Sequence, residues 1–301
     1  MIAPTFTDWR ETGQRFAYRG QPIFWQSGGD GGDGDVLLCI HGFPSASWDW
    51  HKIWPGLCAR FARVIAADMI GFGWSAKPRN YPYSIFDQAD LHEILLREQG
   101  VRRFHILAHD YGDTVAQELL ARHQERRARG DASLVIESIC LLNGGLFPET
   151  HRPRLVQKLL LTPFGALIAA AMNPRSFSRS FTAVFGPQTQ PSAQELQQFW
   201  QLLEYNGGSR LMHRLIHYIP ERRANRPRWV GALQTTQVPL CTINGPLDPV
   251  SGAHMVERYR ELVPNADVVS LPGIGHYPQV EAAAAVLQAY LDFLTRCAAH
   301  A

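Results

Sequence analysis

The run Phe104-His105-Ile106-Leu107-Ala108-His109-Asp110-Tyr111-Gly112 passes from an apolar strand pattern directly into a helical one. Small residues at 108 and 112 let a strand and a helix approach closely. The side chain between them is then lifted onto the end of the strand, over the helix N-terminus. That side chain is Asp110, in a position where Ser or Cys would be the familiar nucleophile. A carboxylate attacking an ester carbonyl would form an anhydride, a high-energy acyl donor, whereas attack on a saturated carbon bearing a leaving group gives an ordinary alkyl ester. The predicted substrate class is therefore an electrophilic alkyl carbon, in an epoxide or an alkyl halide. An Asp just before a helix also serves as an N-cap, so the reading depends on what other segments bring to the same place.

Three other segments bear on it. Ile40-His41-Gly42-Phe43-Pro44 follows a buried-strand run, which puts its backbone N–H groups at the same sheet edge. The N–H groups of Phe43 and Tyr111 are the predicted oxyanion hole, which needs close backbone approach more than any particular side chain. Asn244-Gly245-Pro246-Leu247-Asp248-Pro249 leaves an apolar strand through a turn that presents Asp248, and Leu271-Pro272-Gly273-Ile274-Gly275-His276-Tyr277-Pro278 leaves the last strand through a turn that presents His276. The chain order is nucleophile, acid, histidine, as in a triad carried on the ends of parallel strands. Other motifs carry less chemistry. The Gly-rich turn from Asp68 to Ser75 lacks the spacing and the Lys of a phosphate cradle, and GGDGGDGD occurs once and reads as a flexible loop rather than a calcium repeat. Arg210, Arg214, Arg222, Arg223, Arg226 and Arg228 read as a solvated face. The 12 His residues show no paired-ligand spacing, so neither a metal nor another cofactor is predicted.

The elements that must position these groups alternate in the manner of an α/β protein. A leading antiparallel hairpin is predicted at Arg15 to Arg19 and Ile23 to Ser27. The buried run Val36 to Ile40 follows, then strands at Arg63 to Asp68, Phe104 to Ala108, Val135 to Leu142, Leu240 to Asn244 and Asp267 to Leu271. Helices are predicted at Ser47 to Ala59, Phe86 to Gln99, Tyr111 to Arg122, Gly252 to Leu262 and Glu281 to Thr295. The alternation stops after Asn143-Gly144-Gly145 and resumes near Val238. Between them lie helix-like runs at Arg154 to Leu161, Ala193 to Glu204 and Ser209 to Ile219, broken by prolines. The predicted organisation is a core of residues 1–145 and 231–301 with a helical cap at 146–230. An insertion there emerges at the carboxyl edge of the sheet, where open α/β sheets place their ligands.

Composition narrows the partners. The net charge of +2 on 301 residues does not select nucleic acid by bulk electrostatics. The N-terminal stretch lacks a signal peptide's basic start and apolar run, and no segment approaches a membrane span, so a cytoplasmic location is expected. The richest apolar patch, Phe164 to Met172, reads as a buried or site-lining helix. The 5 cysteines lack metal-ligand spacing and are expected to be reduced thiols.

Together these segments resemble the α/β-hydrolase fold superfamily, and within it the branch with an aspartate nucleophile that holds epoxide hydrolases and haloalkane dehalogenases. The resemblance covers nearly the whole chain and implies a mostly parallel eight-stranded sheet flanked by helices. It casts Asp110 as nucleophile, His276 as base, Asp248 as its acid partner, and the N–H groups of Phe43 and Tyr111 as oxyanion hole. It also implies cap groups that stabilise the departing oxygen or halide: Tyr218 and Tyr205 for an epoxide, with His213 and His217 as alternative donors, or Trp200 and Trp229 for a halide. His41 and His109 join Tyr218, Tyr205 and Trp200 as predicted substrate-lining residues. Many dehalogenases carry Asn after His-Gly and Trp after the nucleophile, where this chain has Phe43 and Tyr111; epoxide hydrolases match His-Gly-Phe-Pro better, although they too usually carry Trp after the nucleophile, and with two tyrosines in the cap an epoxide hydrolase is the favoured reading. A haloalkane dehalogenase and a hydrolase-shaped ligand-binding protein remain as alternatives. The expected partners are a small apolar molecule with an electrophilic carbon, and water, with homodimerisation left open.

Overall fold

Every position of Val36–Ile40 is buried, which a strand achieves only when both faces of its sheet are covered. In the computed structural model, which describes residues 3–299, this strand (β3) lies near the middle of an eight-stranded sheet. The others are β1 (Gln14–Tyr18), β2 (Gln21–Gly28), β4 (Arg63–Ala67), β5 (Arg103–His109), β6 (Val135–Leu142), β7 (Leu240–Asn244) and β8 (Asp267–Ser270). Their order across the sheet is β1-β2-β4-β3-β5-β6-β7-β8. The leading hairpin is antiparallel and joins β4 antiparallel, and the remaining neighbours pair parallel.

The chain steps outward from β3 to β4 and then returns past β3 to β5. Loops leaving the carboxyl ends of β3 and β5 therefore turn to opposite sides and open a crevice between them, the switch point at which such sheets bind ligands. The turn carrying Asp110 and the loop carrying Phe43 are those two loops. The register holds them level, since Ile40 is paired with Ala108.

Helix predictions over the core hold in type and differ at the ends. The helix after β5 runs Tyr111–Ala128, longer than expected, because its second half is buried against helix Arg226–Thr235 and the sheet. The segment expected as one helix from Ser47 to Ala59 is a 3₁₀ turn, Ser47–Trp50, followed by helix Trp54–Arg60. Here the chain tightens because Ser47 N–H donates to the buried Asp68 carboxylate at 2.8 Å. Helix Phe6–Thr12 is additional to those predicted, although Thr5 and Asp8 form a capping box at its start.

Between β6 and β7 the chain forms only helices, including Leu155–Leu160, Gly165–Ala170, Pro174–Thr182, Ala193–Glu204, Tyr218–Ala224 and Arg226–Thr235. The stretch expected as one helix from Ser209 to Ile219 is instead divided among the end of a 3₁₀ run, Tyr205–Leu211, and two short helices, Met212–Leu215 and Tyr218–Ala224. The apolar patch Phe164 to Met172 is corrected. It forms a helix of 6 residues with one face turned outward, where Phe164 is 67% and Leu167 68% exposed, while Gly165 and Ala169 are buried and Ile168 and Met172 pack partly buried against the core. Among the described residues no helix is long and apolar enough to cross a membrane.

The backbone approach that positions the Asp110 turn is at Gly112. A Cβ there would lie 2.3 Å from the Ile40 carbonyl oxygen and 2.7 Å from that of His41. Neither contact can yield without moving β3. Gly112→Ala is expected to cost about 3 kcal/mol, the upper end of ordinary overpacking. By contrast Gly231, in a helix with nothing within 4 Å of the place a Cβ would take, should be neutral or slightly stabilised by Ala. Urea denaturation of the two variants checks the contrast; an unchanged midpoint for Gly112→Ala would refute the close-packing account.

Candidate active site

Asp110 follows the last residue of β5 with φ 49° and ψ −103°, a conformation an L-residue adopts only under constraint. Hydrogen bonds hold it there: its N–H donates to the Leu142 carbonyl on β6 at 3.1 Å, and its carbonyl accepts from Asp113 N–H at 3.2 Å. The side chain is 3% exposed. Phe43 N–H donates to Asp110 Oδ2 at 3.1 Å, and no hydrogen bond from a described residue reaches Oδ1. Of the two predicted oxyanion donors, Phe43 thus contacts the carboxylate directly, while Tyr111 N–H makes no bond to it.

His276 Nε2 stands 3.9 Å from Asp110 Oδ2, too far for a direct hydrogen bond but close enough for one water to touch both. On the other side of the ring, His276 Nδ1 donates to Asp248 Oδ2 at 2.7 Å. Burial alone would lower the imidazole's pKa; the charge and hydrogen bond of Asp248, with the charge of Asp110, outweigh it and raise the pKa to about 9. Burial likewise opposes ionisation of Asp248, yet the His276 charge and bonds from His276, Asn143 and Val250 hold that carboxyl below its usual range. The two shifts agree in describing an ion pair at neutral pH.

Several positioning residues escape sequence reasoning. Asn143, at the end of β6 with φ 45°, donates to Asp248 Oδ2 at 3.0 Å and accepts from Gly245 N–H at 2.7 Å. Ser251 Oγ is 2.8 Å from the same carboxylate oxygen. The one signal for them in the sequence is Asn143-Gly144-Gly145, which marks the point where alternation stops. His151 and Arg222, both buried, also face this region. Asp113 lies one turn along the helix behind Asp110; burial first and the Asp110 charge second push its carboxyl's pKa well up, toward the neutral form.

Other predicted residues lie elsewhere. His41 is fully buried, its Nε2 accepting from Met69 N–H at 3.0 Å and its Nδ1 bonded to the Gly42 carbonyl at 2.8 Å. It ties two loops together and has no nitrogen left for a substrate. His109 is also fully buried, bridging the His276 carbonyl at 2.8 Å and the Asp49 carboxylate at 3.4 Å, so it fixes the histidine loop from beneath. Tyr205 lies under Arg10 and Lys77, and with Trp200 it borders a surface cleft of about 420 Å³ beside the N-terminal helix. Neither reaches Asp110, because the kink at Asn206 and Gly207 separates them from Tyr218. Trp229 Nε1–H is engaged by Glu118 at 2.8 Å, His213 sits against Gly165, and His217 is exposed.

Tyr218 alone among the predicted cap donors joins the site. Its ring packs against Phe43 and Tyr111 at centroid distances of 5.6 and 4.9 Å, and its buried hydroxyl has no partner. Burial, with the nearby Asp110 charge second, raises the phenol's pKa far above its ordinary value. A larger concavity of about 1600 Å³ lies at the opposite, amino edge of the sheet and contains none of these residues.

A strained carboxylate on the strand-to-helix turn, a histidine–acid pair on the last two loops and this sheet order define a class of protein. Residues 35–283 match the family model of the α/β-hydrolase fold, and the chain belongs to that family. It is 46% identical over 303 residues to the mesoderm-specific transcript protein of Mus musculus, an alignment covering 97% of this chain and 89% of that one. Haloalkane dehalogenase DbeA of Bradyrhizobium elkani superposes with a TM-score of 0.78 at 22% identity, covering 96% and 99% of the two chains. Epoxide hydrolase CorEH superposes with a TM-score of 0.75 at 17% identity, covering 95% and 99%. Both structural likenesses speak to the fold.

The raised His276 pKa has a consequence for stability. A group whose pKa rises from an unfolded 6.5 to about 9 stabilises the fold fully below pH 6.5 and loses that contribution as pH passes 9. The shift corresponds to about 3 kcal/mol. Urea unfolding of wild type and His276→Gln at pH 6 and pH 10 should show a stability difference that shrinks by roughly that amount; a difference independent of pH would contradict the buried ion pair.

Proposed function

We propose that the protein is a hydrolase of electrophilic alkyl carbon acting through an ester on Asp110, with an epoxide as its substrate. One observation carries the choice of epoxide: a buried, unpartnered phenol, Tyr218, beside the attacking carboxylate. A phenol kept protonated by burial is suited to donate to an alkoxide as the ring opens.

Oδ1 of Asp110 attacks the ring carbon, the carbon–oxygen bond breaks, and the oxygen takes the Tyr218 proton. Esterification removes the Asp110 charge, one of the influences that keep His276 protonated, so the imidazole's pKa falls and its proton leaves to bulk water, freeing Nε2 to act as a base; that proton is taken up again once the Asp110 carboxylate is restored. His276, oriented by Asp248, then accepts a proton from water, whose oxygen adds to the ester carbonyl carbon. Phe43 N–H stabilises the oxyanion on Oδ2. Collapse releases the alcohol with the His276 proton, and the second water proton restores the Tyr218 phenol. The net change is epoxide plus water to diol.

His276→Gln should form the ester and fail to hydrolyse it, so mass spectrometry after exposure to an epoxide panel should find a stable adduct on Asp110. Neither adduct nor turnover with any epoxide would remove this reading, and halide release from haloalkanes would replace it with dehalogenation. Thermal stabilisation by ligands without any product would point instead to a binding protein. In single-turnover experiments with wild type, ester hydrolysis should accelerate with rising pH, with an apparent pKa below the resting value of about 9. A flat profile from about pH 6 to 10 would exclude His276 as the base.

A further inference from the structure

The basic run that reads from sequence as a solvated face is not uniform. Arg226 pairs with Glu149 and Arg228 with Glu118, each at 2.6 Å. Arg222 instead points inward and is 2% exposed. Its Nε donates to Thr114 Oγ1 at 2.6 Å, its Nη2 to the Asp110 carbonyl at 3.4 Å, and its guanidinium lies 4.6 Å from the Tyr218 ring centroid. Nη1 is buried without a partner, and among the described residues Arg222 forms no ion pair within 4.0 Å.

His151 stands beside it, 8% exposed, with both ring nitrogens unpartnered. Burial first and the Arg222 charge second press its pKa down to about 3, so it is neutral and carries one N–H donor. The two groups meet over bare backbone: the position of a Cβ on Gly145 would be 2.2 Å from Arg222 Nη1 and 3.2 Å from His151 Nδ1. A buried cation with an unmade hydrogen bond is costly, and a ligand that supplies the missing acceptor offsets that cost.

We infer that Arg222 and His151 form an anion subsite beside Asp110, and that the substrate is a short carboxylic acid whose electrophilic carbon adjoins its carboxylate, as in a 2,3-epoxy acid. Two free donors match the two oxygens of a carboxylate, whereas a phosphate would leave oxygens unpaired. The surroundings favour a short molecule: Phe43, whose N–H holds Asp110 Oδ2, packs with Tyr218 and Tyr218 with Tyr111, and Asp110 beneath these rings is 3% exposed. Arg222, bonded to the Asp110 carbonyl, also offsets the repulsion between the substrate's charge and the attacking carboxylate. The substrate expected from sequence to be apolar thus carries a charge at one end. The reaction balances as above, epoxide plus water giving a dihydroxy acid with its carboxylate unchanged.

The inference rests on Asp110 being the attacking group, and the test separates the two. Glycidate and glycidamide present the same epoxide with and without the charge, and wild type should favour glycidate in kcat/KM by about 100-fold. Arg222→Gln should collapse that ratio through the KM for glycidate, and Gly145→Ala should do the same by displacing Nη1 while keeping its charge. A merely structural Arg222 would lower both substrates equally. Binding of propionate by wild type, lost in Arg222→Gln, reads the subsite without turnover. If neither epoxide reacts yet propionate binding behaves so, the Asp110 chemistry fails and the subsite stands. Equal use of acid and amide by wild type, or a ratio unchanged in both variants, would overturn the subsite, as would absence of both turnover and propionate binding.

Discussion

The structure depends on one backbone crossing, where the helix after β5 starts against the end of β3 with a glycine as the only spacer. A Cβ on Gly112 would collide with the Ile40 and His41 carbonyls, and two residues before it Asp110 takes a positive φ at the turn. The strain is held in place rather than relieved. The Asp110 amide is bonded to β6, and its carbonyl caps the first turn of the helix behind it. A carboxylate mounted this way cannot rotate away from the loop whose Phe43 N–H already holds one of its oxygens. The fixed position of this carboxylate is thus a consequence of how tightly strand and helix pack.

Around that point the buried charges are arranged in compensating pairs. His276 is gripped from two sides: its ring by Asp248, which Asn143 and Ser251 orient, and its backbone carbonyl by His109, which leans on Asp49. This double fixation determines where the imidazole's second nitrogen points, a matter of geometry that its pKa alone would not set. Neutral groups complete the balance, since Asp113 and His151 are pushed by burial toward their uncharged forms. Arg222 is the exception, a cation brought in from the helical insertion and bonded to the Asp110 backbone carbonyl.

The helices between β6 and β7 seal the crevice with aromatic rings. Tyr218 lies edge-on to Tyr111 and tilted against Phe43, while Phe181, Phe185 and Phe199 pack on Tyr277 next to the histidine. Beneath this layer Asp110 is only 3% exposed. Burial behind this layer is also what raises the Tyr218 phenol and strengthens every electrostatic contact beneath it.

The strand pattern, the sheet's largely parallel character and the loops that carry Asp110, Phe43, Asp248 and His276 are all legible in the linear order of residues. These are properties of contiguous runs: a buried strand needs uninterrupted apolar residues, and a turn at a strand end needs Gly, Pro or small residues at fixed offsets. Which polar side chains finish the site is settled in three dimensions. Asn143 and Ser251 look like ordinary turn residues until the sheet order sets β6 beside β7. Arg222 is indistinguishable in sequence from Arg226 and Arg228, and Tyr205 from Tyr218. The direction of a side chain in a Pro- and Gly-broken insertion is fixed by where the short helices dock and not by any period along the chain. The same holds for Phe164 and Leu167, whose apolar character does not disclose that they stand on the outward side of a short helix whose other side holds Gly165 and Ala169.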